Sequence, residues 1–132
     1  MSIELQYLIF AIFLLLIQLI LQGTAGVLTQ GVKGVVGSRD DGVLTEGILG
    51  RFERAYYNML ETFPVFAALV LIIQITESWS PLSALAVQLY FWGRVLYLPA
   101  CVMGIPVLRS IIWTVATAGI VMLAWPLLMG VI

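Results

Sequence analysis

Apolar residues run almost unbroken along most of the chain, and polar residues gather at a few points between and inside the runs. A helix needs roughly 20 apolar residues to cross a bilayer. The chain offers four such runs: about Leu5 to Leu28, Leu49 to Ile75, Pro81 to Met103, and Pro106 to Val131. The pattern predicts an all-α membrane protein, a bundle of four transmembrane helices forming a single domain over residues 1–132. Ser80-Pro81 reads as an N-cap followed by proline in the first turn. Gly104-Ile105-Pro106 reads as a tight break, so the third and fourth helices are expected to form an antiparallel hairpin. The one sizeable connection, Gln30 to Thr45, is rich in glycine and holds Lys33, Arg39, Asp40 and Asp41. A short echo, Gly26-Val27-Leu28-Thr29-Gln30-Gly31 against Gly42-Val43-Leu44-Thr45-Glu46-Gly47, carries no functional weight.

Composition agrees with lipid as the solvent. The 132 residues are 62% hydrophobic and 10% charged, with a mean hydropathy of +1.11. A soluble domain is nearer half apolar and a quarter charged, and a chain this short has too little interior to hide the excess. The first run is preceded by Glu4 and no basic residue, and it is too long for the core of a secretory signal, so it is expected to remain as a spanning helix. A net charge of −1 offers no basic field for nucleic acid. There is no histidine and one cysteine, Cys101. That removes His-based triads, most metal sites and any disulfide within the chain. Chemistry is left to Arg, Glu, Asn, Tyr, Ser or Thr, or to a bound cosubstrate.

Basic residues set the expected orientation. Lys33, Arg39 and Arg51 flank the first connection, and Arg109 follows the third. The second connection, near Glu77-Ser78, has none, and neither terminus has any. The first and third connections are therefore expected on the cytoplasmic side, with both termini outside.

The second run contains the unusual feature. Arg54, Asn58 and Glu61 are spaced i, i+4, i+7 and form one polar stripe on a helix, which Arg51 extends toward the cytoplasmic end. A charge at the bilayer centre costs roughly 2.5–3.5 kcal/mol on insertion scales, so such residues face protein or water and usually mark function. In the third run Tyr90, Arg94, Tyr97 and Cys101 share a face by the same spacing. Arg94 lies roughly 15 Å before the break at Gly104, and Glu61 roughly 16 Å after Gly50, at 1.5 Å per residue. Antiparallel helices bring the two to similar depth, which makes them candidate partners within one subunit or across an interface. Buried polar residues that only tie helices together are the structural alternative. Arginine exceeds acid in this stripe, however, and a surplus of arginine suits a carboxylate-bearing ligand.

The pattern Glu53-Arg54-x-x-x-Asn58-x-x-Glu61-x-x-Pro64 resembles the signature of the MAPEG family, the membrane-associated proteins of eicosanoid and glutathione metabolism. Arg94-x-x-Tyr97 is similar to a second element of that family, and length and span count agree over nearly the whole chain, as in a bacterial-type member. The resemblance implies a homotrimer with glutathione as cosubstrate between neighbouring subunits near the cytoplasmic face. By position, Arg54, Asn58 and Glu61 would bind glutathione from one subunit, and Arg94 and Tyr97 would line the pocket from another helix, with Arg51 at the mouth. Arg109 sits near where some members carry a thiol-activating arginine, although the spacing before it differs, and Arg94 is the other candidate for a catalytic role. Thr62 and Cys101 replace tyrosines of the leukotriene-synthase branch. The implied activity is transferase or peroxidase-like, the glutathione thiolate attacking a lipophilic electrophile or hydroperoxide that arrives from the membrane lipid. A nearby arginine favours the thiolate, the nucleophilic form, and Glu61 is suited to receive the ammonium group.

Two other readings follow from the same residues. A protein of this fold could bind glutathione or another anion without turnover, as the changed Thr62 and Cys101 positions allow. A small transporter is the third, against which stands the lack of an inverted repeat. Pro64, Pro99 and Pro126 each remove a helical hydrogen bond, and the first two are candidates to shape a pocket. Tyr56-Tyr57 and Phe91-Trp92 suit packing or lipid contact, Trp79 and Trp125 suit the ends of spans, and Thr114, Ala118 and Gly119 suggest a small-residue packing face on the fourth helix.

Overall fold

The computed structural model describes residues 1–36 and 47–131. They form α1 (Ile3–Val36), α2 (Gly47–Thr76), α3 (Pro81–Val102) and α4 (Pro106–Val131), with no strand among them. All four helices are long and apolar enough to cross a membrane. The expected spans are present, with one difference in extent. Helix α1 continues to Val36, so Gln30–Val36, expected as part of the first connection, is helical. No proline interrupts that stretch, and extending a formed helix costs far less than starting one. The 34 residues of α1 reach about 51 Å, well beyond the ~30 Å of hydrocarbon. Its apolar part is Ile3–Thr24. Arg39, Asp40, Asp41 and most of the second copy of the glycine echo lie outside the described residues.

The hairpin of α3 and α4 is closed by local chemistry at both ends of α3. Ser80 caps the helix: its side chain accepts from the Ser83 backbone N–H at 3.1 Å, and Ser83 Oγ accepts from the Ser80 N–H at 2.9 Å. At the other end Gly104 adopts a left-handed φ of 72°. The Gly104 N–H donates to the Cys101 carbonyl, and the Ile105 N–H to the Ala100 carbonyl. This is the paired bonding that ends a helix on a left-handed glycine. Arg51 of α2 completes the cap, donating from Nη1 to the Val102 carbonyl at 3.0 Å.

Close backbone approach holds α3 on α4. A Cβ added to Gly93 would stand 2.9 Å from Ala116 Cβ, and one added to Gly119 would stand 2.7 Å from the Ala86 carbonyl oxygen. The packing face of α4 is therefore Ala116, Gly119 and Leu123, all buried. The expected face of Thr114, Ala118 and Gly119 is corrected accordingly. Thr114 and Ala118 are exposed, because each residue turns about 100° around the helix, which puts Ala118 one step from Gly119 and Thr114 two steps from Ala116. Helix α2 contributes Met59, Phe66, Val70 and Ile73 to the core. Among the described residues α1 packs on α2 and α3 but not on α4. Its buried residues Glu4, Leu8, Ala11 and Gln18 recur every three, four or seven positions, which is one helical face.

A polar stripe at bilayer depth

Helix α2 has two faces. Ala55, Met59, Phe66 and Val70 turn into the core. Arg54 and Glu61 turn outward and are exposed, and Asn58 lies half-buried between them. The expected i, i+4, i+7 stripe thus sits on the outer surface of the protomer, within the span Gly50–Thr76. Exposed charges at that depth need protein or water against them.

Behind the stripe, Arg94 of α3 is only 1% exposed. Its Nη1 donates to Asn58 Oδ1 at 2.9 Å, and its guanidinium lies 4.4 Å from the centre of the Tyr97 ring, a cation–π distance. Its Nε and Nη2 have no hydrogen-bond partner among the described residues. Arg94 therefore does not bond Glu61 within the protomer. Asn58 occupies that position, because it is the stripe residue turned toward α3 while Glu61 faces away. Arginine only donates, so the Asn58 oxygen must point inward at Arg94. That leaves the N–H donors of the Asn58 amide free of Arg94.

The other sequence candidates are placed as follows. Tyr97 is buried, with its ring under Arg94. Arg51, expected at the mouth, is engaged at the end of α3, and its guanidinium carbon lies 2.9 Å from where a Gly104 Cβ would stand. Arg109 is half-buried in the first turns of α4. A cation near a helix N-terminus opposes the helix dipole, so helix stability does not account for its position. Cys101 is buried beside the Arg51 carbonyl, with Sγ at 3.5 Å. Pro64 and Pro99 are exposed on the outer faces of helices that continue through them. Neither lines the cavity at the far end of the bundle.

Several contacts were not legible in the sequence. Thr62 Oγ1 and Tyr90 OH are 3.0 Å apart, and Tyr90 stacks on Phe66 at 4.0 Å between centroids. Glu4 is buried and accepts from Ser83 Oγ. Gln18 is buried with neither side-chain polar atom partnered. Its seven-residue spacing from Ala11 was the available signal for the last. Aromatic side chains Tyr7, Phe10, Phe91 and Trp92 pack together between α1 and α3, edge-on except for the tilted Phe10–Phe91 pair. At the far end of the bundle, a cavity of about 290 Å³ is lined by Ile72, Thr76, Ser80, Ser83, Leu123 and Pro126 among others, remote from the stripe.

Four membrane-crossing helices and a polar stripe on α2, backed by a buried arginine, define an integral, multi-pass membrane protein with a charged site inside the bilayer. The model of the MAPEG family matches residues 5–129, and the chain belongs to that family. Comparison with curated proteins and with solved structures gave no match.

Proposed function

We propose that the protein is a glutathione-dependent membrane enzyme of transferase or peroxidase type. The observation that carries the reading is the outward stripe of Arg54, Asn58 and Glu61 at bilayer depth, with the Asn58 amide held by Arg94. Family membership supports glutathione chemistry in general, and the stripe matches its functional groups. Arg54 suits a carboxylate, Glu61 suits the ammonium group, and the Asn58 N–H suits a backbone carbonyl of the peptide. The stripe is open on the protomer surface, so a neighbouring subunit closes it in the homotrimer this reading requires. Arg94 and Tyr97 act from inside the protomer, by holding Asn58. Arg109 stabilises the thiolate from the start of α4, on the cytoplasmic side.

In the transferase step the thiolate sulfur bonds to an electrophilic carbon, and the displaced group or opened ring oxygen takes the electron pair and a proton. In the peroxidase step the sulfur attacks the terminal oxygen of a hydroperoxide and the O–O bond breaks. An alcohol leaves, and a second glutathione reduces the sulfenic acid to give disulfide and water. Purified protein should turn over a lipophilic model electrophile or hydroperoxide with glutathione, and Arg109→Ala should lower kcat more than it raises KM. Absence of both activities in protein that still binds glutathione would leave a binding protein. That second reading has two observations in its favour: the Thr62 hydroxyl is committed to Tyr90 inside the protomer, and Cys101 is buried.

A further inference from the structure

Gln18 lies within the apolar run of α1, is 1% exposed, and has no partner for its amide oxygen or nitrogen among the described residues. A buried amide without a partner is costly, and in a native fold it calls for an explanation. The face of α1 that carries Gln18 also carries Glu4, Leu8 and Ala11. That face meets α2 and α3, the helices on which α1 packs. Glu4 is satisfied by Ser83; Gln18 is the other fully buried polar residue of that face among the described residues.

Two registers fix its depth. Ser2 Oγ donates to Gln74 Oε1 and aligns α1 antiparallel to α2. Equal steps along the two helices from that bond bring Gln18 level with Asn58. The Glu4–Ser83 bond aligns α1 parallel to α3. By that register Gln18 lies three residues, about 4.5 Å, beyond the level of Arg94. Both registers place Gln18 within about one helical turn of the Arg94–Asn58 bond. At the same depth Arg94 has its own unpartnered nitrogens, Nε and Nη2. The two sets are complementary: arginine only donates, and an amide oxygen accepts.

We propose that Gln18 is a positioning residue of the site, its amide oxygen linked through one buried water to the free N–H groups of Arg94. Gln18 holds the guanidinium from the interior, Arg94 Nη1 holds the Asn58 oxygen, and the Asn58 N–H groups are aimed at the ligand. The ligand consequence rests on the glutathione reading above; the Gln18–Arg94 contact does not.

The test is a double-mutant cycle on the full-length protein in detergent, with Gln18→Leu, Arg94→Met and the double variant. Each single change should lower Tm, and the double variant should be no less stable than the worse single. Additive losses would overturn the contact. Where Arg94→Met does not fold, the ¹⁵Nε resonance of Arg94 gives the same answer. It should move in Gln18→Leu while those of Arg54 and Arg109 stay in place, and an unmoved Arg94 signal overturns the proposal. Glutathione affinity should fall about tenfold in Gln18→Leu, the worth of one well-placed hydrogen bond. The same change should have no effect in an Asn58→Leu background. Unchanged affinity in Gln18→Leu overturns the positioning role. Failure of the native protein to bind glutathione would overturn the functional reading alone, since the Tm cycle and the resonance report on the contact without ligand.

Discussion

At the residue scale, Asn58 is the hinge between the buried and the exposed halves of the site. Its oxygen is bound to Arg94, which leaves its N–H groups for another partner. Asn58→Leu leaves the Arg94 cation without its acceptor and should cost about 2 kcal/mol, the scale of a hydrogen bond to a charged group. Thermal unfolding in detergent measures that loss. Asn58→Asp separates the two roles. Its carboxylate pairs with Arg94 and should retain the native Tm, but it offers no N–H outward, so glutathione binding should still fall. Equal affinity in Asn58→Asp and the native protein would remove the donor role. The charged residues themselves were legible in the sequence, because charges inside apolar runs are expensive and i, i+4, i+7 spacing puts them on one face. The pairing was not. Depth alone made Glu61 the natural partner of Arg94, whereas rotation about the α2 axis decides which stripe residue faces α3, and that rotation is set by how Ala55, Met59 and Phe66 seat in the core.

At the element scale, the α3–α4 hairpin carries the frame on which Arg94 sits. Gly119→Val should split it, since even a Cβ would meet the Ala86 carbonyl at 2.7 Å and the Tyr90 nitrogen at 3.1 Å. Overpacking of this kind typically costs about 1–3 kcal/mol, read as a lower Tm. The turn between the helices is a second lever. Gly104→Ala meets a left-handed φ of 72° and an Arg51 guanidinium carbon 2.9 Å from the new Cβ. It should destabilise the protein by at least the 1–2 kcal/mol of a left-handed non-glycine residue. Arg51→Ala should lower Tm as well, by exposing the Val102 carbonyl. A normal Tm for Arg51→Ala with weakened glutathione binding would return Arg51 to the mouth of the site. Helix number, the hairpin and the Ser80 cap were readable from apolar run length and from Ser-Pro and Gly-x-Pro punctuation. The packing face of α4 was not, because small residues recur all round that helix and only the facing backbone of α3 selects Ala116 and Gly119.

At the scale of the whole molecule, the protomer is incomplete as a membrane object. Arg54 and Glu61 are exposed on α2 at a depth where lipid would surround them. Lipid contact for charges at that depth is expensive, so a second copy of the chain should cover the stripe. Native mass spectrometry from detergent should record a trimer, and Arg54→Leu together with Glu61→Leu should alter ligand binding more than assembly. A monomer with full glutathione affinity would contradict the shared-site arrangement. The same geometry explains why family membership and residue pattern together reach further than either alone. The family match spans residues 5–129, while the stripe marks the exposed charges of α2 within its span.

The most direct measurement is an equilibrium titration of the purified native protein with glutathione, following thiolate absorbance in the ultraviolet alongside binding heat. The account predicts saturable binding with a thiolate signal at neutral pH, lost in Arg54→Ala and in Glu61→Ala while both variants keep the native Tm. Absence of binding, or binding that both variants retain unchanged, would contradict it.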